Sequence, residues 1–133
     1  MEVTAVKPNA RASILVLEDD DAFRRFLVRV LQGAGFSVVE TGNGGDALRL
    51  VEGNQHFDLL IADVQMPGFQ PHGINVGNAA LSRRDGPKVI YITGNPEQVP
   101  NGFVDPARTQ ELAKPIRAEA LLASVEAALG SRG

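Results

Sequence analysis

The chain has 133 residues, 44% of them hydrophobic and 22% charged, which suits one globular domain and leaves no room for a second of ordinary size. A net charge of −3 with 13 scattered basic residues gives no footprint for nucleic acid or an anionic membrane surface, and the lack of cysteine excludes disulfides, thiolate metal sites and cysteine nucleophiles. The longest apolar runs fall far short of the ~20 residues that span a bilayer, and no apolar signal-peptide core is present, so the expected location is cytoplasmic.

Residues 1–12, polar and carrying Pro8 and Asn9, are expected to form a flexible leader ahead of a domain over 13–130, with 131–133 as a tail. Ile14-Leu15-Val16-Leu17 is an unbroken apolar run, the pattern of a strand covered on both faces, and it stops at Glu18-Asp19-Asp20-Asp21. From Ala22 to Ala34, Phe23, Phe26, Leu27, Val30 and Leu31 recur at helical spacing, with an Asp before them as N-cap and Gly35 as a stop. Phe36 to Glu40 reads as a second strand. Gly45 to Glu52 reads as a second helix, and Gly42, Gly44 and Gly45 as a turn before it. Phe57 to Ala62 is a third buried strand ending in Asp63, followed by a loop marked by Pro67, Gly68 and Pro71. Gly73 to Arg84 is weakly helical, because Gly77 and two Asn dilute the pattern, while Lys88 to Thr93 is a β-branched strand. Pro96, Pro100 and Pro106 leave at most a short helix in 95–109. Gln110 to Ala113 forms a short fifth strand before Lys114-Pro115, and Ala118 to Leu129 is a closing helix.

Five strands alternating with helices predict an α/β, doubly wound, five-stranded parallel sheet with right-handed crossovers. In the order 2-1-3-4-5 the winding reverses between strands one and three, so the crevice beyond their C-terminal ends is the expected ligand site. Glu18, Asp19 and Asp63 converge there. Like charges so close need an offset, and Mg²⁺, a hard cation held by carboxylates, waters and phosphate oxygens, supplies one. Lys114 adds a fixed cation and Thr93 a hydroxyl donor. This set suits phosphoryl transfer, with Asp63 as nucleophile. Asp20 and Asp21 are assigned instead to helix capping and the helix dipole, and His56 and His72 to the surface.

Taken in order, Ile14-Leu15-Val16-Leu17-Glu18-Asp19, Leu60-Ile61-Ala62-Asp63-Val64-Gln65-Met66-Pro67, Ile92-Thr93-Gly94 and Lys114-Pro115 resemble the signatures of response-regulator receiver domains of two-component signalling, over roughly 13–130. The resemblance implies a flavodoxin-like receiver fold of the single-domain chemotaxis type. It implies that Glu18, Asp19, Asp63 and the backbone carbonyl of Gln65 hold Mg²⁺, that Asp63 is phosphorylated, and that Thr93 and Lys114 grip the phosphoryl oxygens. The donor would be a histidine kinase, a histidine phosphotransfer protein or a small acyl phosphate. The chain would catalyse only its own phosphorylation and dephosphorylation, with Gln65 and Asn95 as rate modulators, and would signal by docking to an unknown downstream protein rather than to nucleic acid or membrane.

Three features depart from the pattern. The loop around Gln70-Pro71-His72 is about two residues longer than usual, the proline-rich stretch replaces much of the usual fourth helix, and Glu111 and Ile116 stand where aromatic residues are frequent. Phosphorylation is therefore expected to reorder 95–109 rather than slide a rigid helix. Three rivals are weaker. A haloacid-dehalogenase-type phosphatase would use Asp19 and Asp21 as its D-x-D but lacks a late acidic motif, and a flavodoxin-like nucleotide or flavin binder would need phosphate-cradling residues where four acids stand. A pseudo-receiver, binding a partner without phosphorylation, is opposed by the intact Asp63, Thr93 and Lys114.

Overall fold

A computed structural model describes residues 11–66, 73–94 and 106–130. Five strands, β1 (Ser13–Leu17), β2 (Ser37–Thr41), β3 (Leu59–Asp63), β4 (Lys88–Thr93) and β5 (Thr109–Ala113), form one parallel sheet in the order β2-β1-β3-β4-β5. Four helices are described: α1 (Asp21–Gly33), α2 (Gly44–Glu52), α3 (Gly73–Leu81) and α4 (Ala118–Leu129).

The apolar runs of β1, β3 and β4 arise because both faces of the sheet are covered. Leu15, Leu17, Leu60, Ala62, Val89 and Tyr91 point to one side and pack with Ala47 and Val51 of α2 and Val76, Ala80 and Leu81 of α3. Ile14, Val16, Leu59, Ile61, Ile90 and Ile92 point to the other, against Leu27 and Leu31 of α1 and Leu121 and Val125 of α4. Each of these large aliphatic side chains contributes about 1.5–3 kcal/mol by leaving water, so the central strands are the fixed platform of the molecule. No helix among the described residues is long and apolar enough to cross a membrane.

Local chemistry sets the helix ends. Asp20 caps α1, its Oδ1 accepting the Phe23 N–H at 3.1 Å, and the helix exits through Gly35 at φ +96, a conformation that favours glycine. Asn43 caps α2 by accepting the Asp46 N–H at 2.9 Å. That cap draws Gly44 as well as Gly45 into the first turn of the helix, so α2 begins one residue earlier than expected and Gly44 is not part of a turn before it. Phe57 and Asp58, expected in the third strand, precede β3. Asp58 instead clamps the start of β1, accepting the Ser13 N–H through Oδ2 at 2.8 Å and donating its own N–H to the Ser13 carbonyl at 2.8 Å.

The expected leader also needs correction at its end. Arg11 donates its N–H to the Gly35 carbonyl at 2.9 Å, pairs with Glu126 and lies 4.4 Å over the Phe36 ring, while Ala12 accepts from Ser37 at 3.1 Å. These two residues belong to the fold. Residues 1–10 and 131–133 lie outside the described residues, as do the loop at 67–72 with His72, and 95–105, where the reduced helix and the reordering segment were expected. Between β4 and β5 the described part is a 3-10 turn, Pro106–Arg108, which leads into β5. Glu111 is exposed on β5 beside the buried Tyr91 of β4, and Ile116 fills the core.

Candidate functional site

Strand register assembles the site. Leu17 pairs with Ala62, so Glu18 follows β1 at the level where Asp63 ends β3. Asp63 pairs with Ile92, and Thr93 with Ala113, which brings Thr93 and Lys114 to the same edge. Carboxylate oxygens of Glu18, Asp19 and Asp63 lie within 4.8 Å of one another. Glu18 and Asp63 are 1% and 2% exposed, whereas Asp19 faces solvent. All three carboxylates expected at the switch point are therefore together.

Asp63 is held at both oxygens. Oδ1 accepts the Gln65 N–H at 2.8 Å, and Oδ2 accepts from Lys114 Nζ at 3.1 Å. Glu18 Oε2 accepts the Asp20 N–H at 3.0 Å. Its Oε1 has no hydrogen-bond donor among the described residues, with Lys114 Nζ 3.7 Å away. Burial pushes the Glu18 carboxyl up to about 8. The Asp20 N–H and Lys114 pull against that rise and the Asp63 charge adds to it. For Lys114, burial favours the neutral amine, but the hydrogen bond to Asp63 and the charges of Glu18, Asp63 and Asp19 outweigh it and raise the pKa. Its ammonium also lies 5.0 Å from the Phe23 ring centroid. The Lys114 N–H donates to the Thr93 carbonyl at 2.9 Å, and the Lys114–Pro115 peptide is cis. Thr93 is fully buried. Gln65 Oε1 accepts the Gly94 N–H at 2.9 Å, tying the loop after β3 to the end of β4. Asn95 lies outside the described residues.

One ammonium cannot neutralise three ionised carboxylates, and burial of Glu18 with no donor to Oε1 among the described residues disfavours its charged form in the absence of a further cation. The donor set is oxygen only, partly buried and open to solvent at Asp19, which fits a hard divalent cation better than a soft metal. The rival uses of these acids fit less well. Asp21 lies in α1 and pairs with Arg24 at 2.7 Å, away from the carboxylate cluster, so no D-x-D pair faces the crevice. His56 is exposed and bonds Asp58 at 3.0 Å, at the end of β3 opposite Asp63, about 16 Å along the strand. Sequence reasoning missed two neighbours of the site. Phe23 was read only as an apolar helix position, and Arg24 not at all, although a basic residue one turn into a helix that follows an acidic run is a usable signal.

The class of protein is thus a small α/β domain whose doubly wound parallel sheet gathers three carboxylates and a lysine where its winding reverses. The chain belongs to the response regulator receiver domain family, whose model matches residues 14–126, and it is accordingly a receiver domain of two-component systems. It is 33% identical over 114 residues to the response regulator receiver protein CpdR of Brucella abortus, covering 85% of this chain and 92% of that one. Among solved structures, the receiver domain of the hybrid histidine kinase CckA superposes with a TM-score of 0.70 at 31% identity, covering 88% of this chain and 98% of the other. The chemotaxis response regulator CheY4 of Vibrio cholerae does so with a TM-score of 0.74 at 27% identity, covering 89% and 98%. Other curated relatives are longer, and this chain spans 32% to 53% of three of them.

Proposed function

We propose that the chain works as a phosphoacceptor switch in which Asp63 takes a phosphoryl group from a phosphohistidine of a histidine kinase or histidine phosphotransfer protein, or from a small acyl phosphate. The observation that carries this reading is the Lys114 ammonium 3.1 Å from Asp63 Oδ2 inside a triad of converging carboxylates. An anionic nucleophile is repelled by an anionic phosphoryl group, so the attack depends on local positive charge. Lys114 provides part of it. Mg²⁺, held by Glu18, Asp19, Asp63 and the Gln65 backbone carbonyl, would supply the rest and bind phosphoryl oxygens.

In the forward step an Asp63 oxygen attacks phosphorus and the bond from phosphorus to the donor imidazole breaks, the electron pair leaving with the imidazole. The Thr93 hydroxyl and Lys114 ammonium donate hydrogen bonds to the transferred oxygens. In the reverse sense water attacks phosphorus and Asp63 is released as a carboxylate, so the chain processes only its own modification and is not an enzyme toward another substrate. Gln65, bonded to Asp63 and Gly94, and Asn95 would set how readily that water enters.

The likeness to the receiver of a hybrid histidine kinase and to a response regulator receiver protein supports a histidine-borne donor. Output would pass by docking to a downstream protein in the cytoplasm, through a domain running from about 11 to 130. Treatment with acetyl phosphate and Mg²⁺, followed by borohydride reduction and peptide mapping, should find the modification at Asp63. Modification at another residue would refute the assignment.

A further inference from the structure

The turn that carries Glu18 and Asp19 is gripped from behind by Arg24, which stands outside the carboxylate cluster. Its guanidinium serves three acceptors: Nη1 donates to the backbone carbonyl of Glu18 at 2.7 Å, Nη2 to Asp21 Oδ1 at 2.7 Å and Nε to Glu40 Oε1 at 2.9 Å. These acceptors sit after β1, in the first turn of α1 and in β2. The Arg24 side chain is only 17% exposed. Room for it is made at Gly42, where a Cβ would stand 2.7 Å from Nη1 and 3.4 Å from the Glu18 carbonyl oxygen. The Glu18 N–H, bonded to the Thr41 carbonyl at 3.1 Å, ties the same turn to β2 from its other side.

This geometry serves orientation, not neutralisation of the cluster. Nη1 is aimed at a carbonyl, and the positive charge is matched by Asp21 and Glu40, neither of them in the triad. With the carbonyl of residue 18 fixed and Glu18 Oε2 held by the Asp20 N–H, the turn has few ways to place Glu18 Oε1 and the Asp19 carboxylate. We infer that Arg24 is a positioning residue for the divalent-cation site, locking the Glu18–Asp19 turn so that both carboxylates converge on Asp63. The inference rests on the phosphoacceptor reading above. Lysine carries all its donors on one nitrogen, so it cannot reproduce contacts that Arg24 makes from Nε, Nη1 and Nη2 separately.

Calorimetric titration with Mg²⁺ tests it, on the parent chain, Arg24→Lys, Arg24→Met, Glu40→Gln and Asp19→Asn, with a metal-free thermal melt of each. Both Arg24 variants should bind Mg²⁺ about tenfold or more weakly, the range seen when a residue supporting metal ligands is removed. Glu40→Gln, which loosens the β2 end of the fork but leaves the Glu18 carbonyl contact, should lower the melt and change the affinity far less. Arg24→Lys keeps the charge and is the milder change, and its metal-free melt shows whether it folds, so the test stands even if Arg24→Met does not fold. Parental affinity in Arg24→Lys, with a melt lowered as in Glu40→Gln, would make Arg24 a structural staple and overturn the inference alone. A parent that fails to bind Mg²⁺, or binds it equally well as Asp19→Asn, defeats the phosphoacceptor reading itself.

Discussion

Lys114 Nζ donates to Asp63 Oδ2 across 3.1 Å, although the two residues are 51 positions apart in the chain and stand at the ends of β5 and β3. The contact exists because β4 lies between those strands in register with both. In the proposed reaction Lys114 is the cation beside the phosphoacceptor, and removing it would take away a donor aimed at developing negative charge. Lys114→Ala should slow phosphorylation by acetyl phosphate by about 10²-fold at saturating Mg²⁺, measured by phosphoprotein formation over time.

The raised pKa of Glu18 predicts a pH-dependent stability in metal-free protein. In the unfolded chain the group ionises near 4.5, and in the fold near 8. Its contribution is therefore complete below about pH 4.5 and is lost as pH rises toward about 8. Urea unfolding in a chelator should show that decline, and Glu18→Gln should flatten it. Mg²⁺ bound at the proposed site would reverse the trend, because it would bind the ionised form, so its affinity should rise with pH over the same window. A flat profile in the parent would contradict the account.

Gly73 opens α3 directly against the end of β3, at Asp63. A Cβ there would overlap the Asp63 carbonyl oxygen and stand 2.7 Å from its carbonyl carbon, and backbone cannot yield as a side-chain tip can. Gly73→Ala should destabilise the fold by about 1–3 kcal/mol and slow phosphorylation as well, read by denaturant unfolding and by the acetyl phosphate assay.

Thr93 is buried at the end of β4 and is assigned to the phosphoryl oxygens, not to the cation. Thr93→Val keeps the shape and removes the hydroxyl. It should leave Mg²⁺ affinity unchanged within error while phosphorylation slows by about tenfold, the effect of one lost donor of about 1.4 kcal/mol. A parallel loss of Mg²⁺ binding would move Thr93 into the cation site.

The platform and the carboxylate triad were legible in the sequence because they depend on local patterns. Unbroken apolar runs such as Ile14 to Leu17 mark strands covered on both faces, and acids placed directly after them must meet at the winding reversal. What escaped depends on contacts between distant segments. Arg24 reaches Glu18 and Glu40 only once β1, β2 and α1 are packed, and Asp58 leaves the expected strand because Ser13 offers a clamp. Gly44 looks like a turn residue until the Asn43 cap recruits it to α2. Arg11 looks like leader until Phe36 and Glu126 are beside it.

The central claim is that Asp63 becomes a covalent phosphoryl carrier when a cation occupies the acidic triad. Intact-mass measurement of the parent and Asp63→Asn after acetyl phosphate, with Mg²⁺ or with chelator, tests this most directly. A single gain of about 80 Da, the mass of one phosphoryl group, should occur in the parent with Mg²⁺ and in none of the other three samples. The same gain in Asp63→Asn, or no gain in the parent, would contradict it.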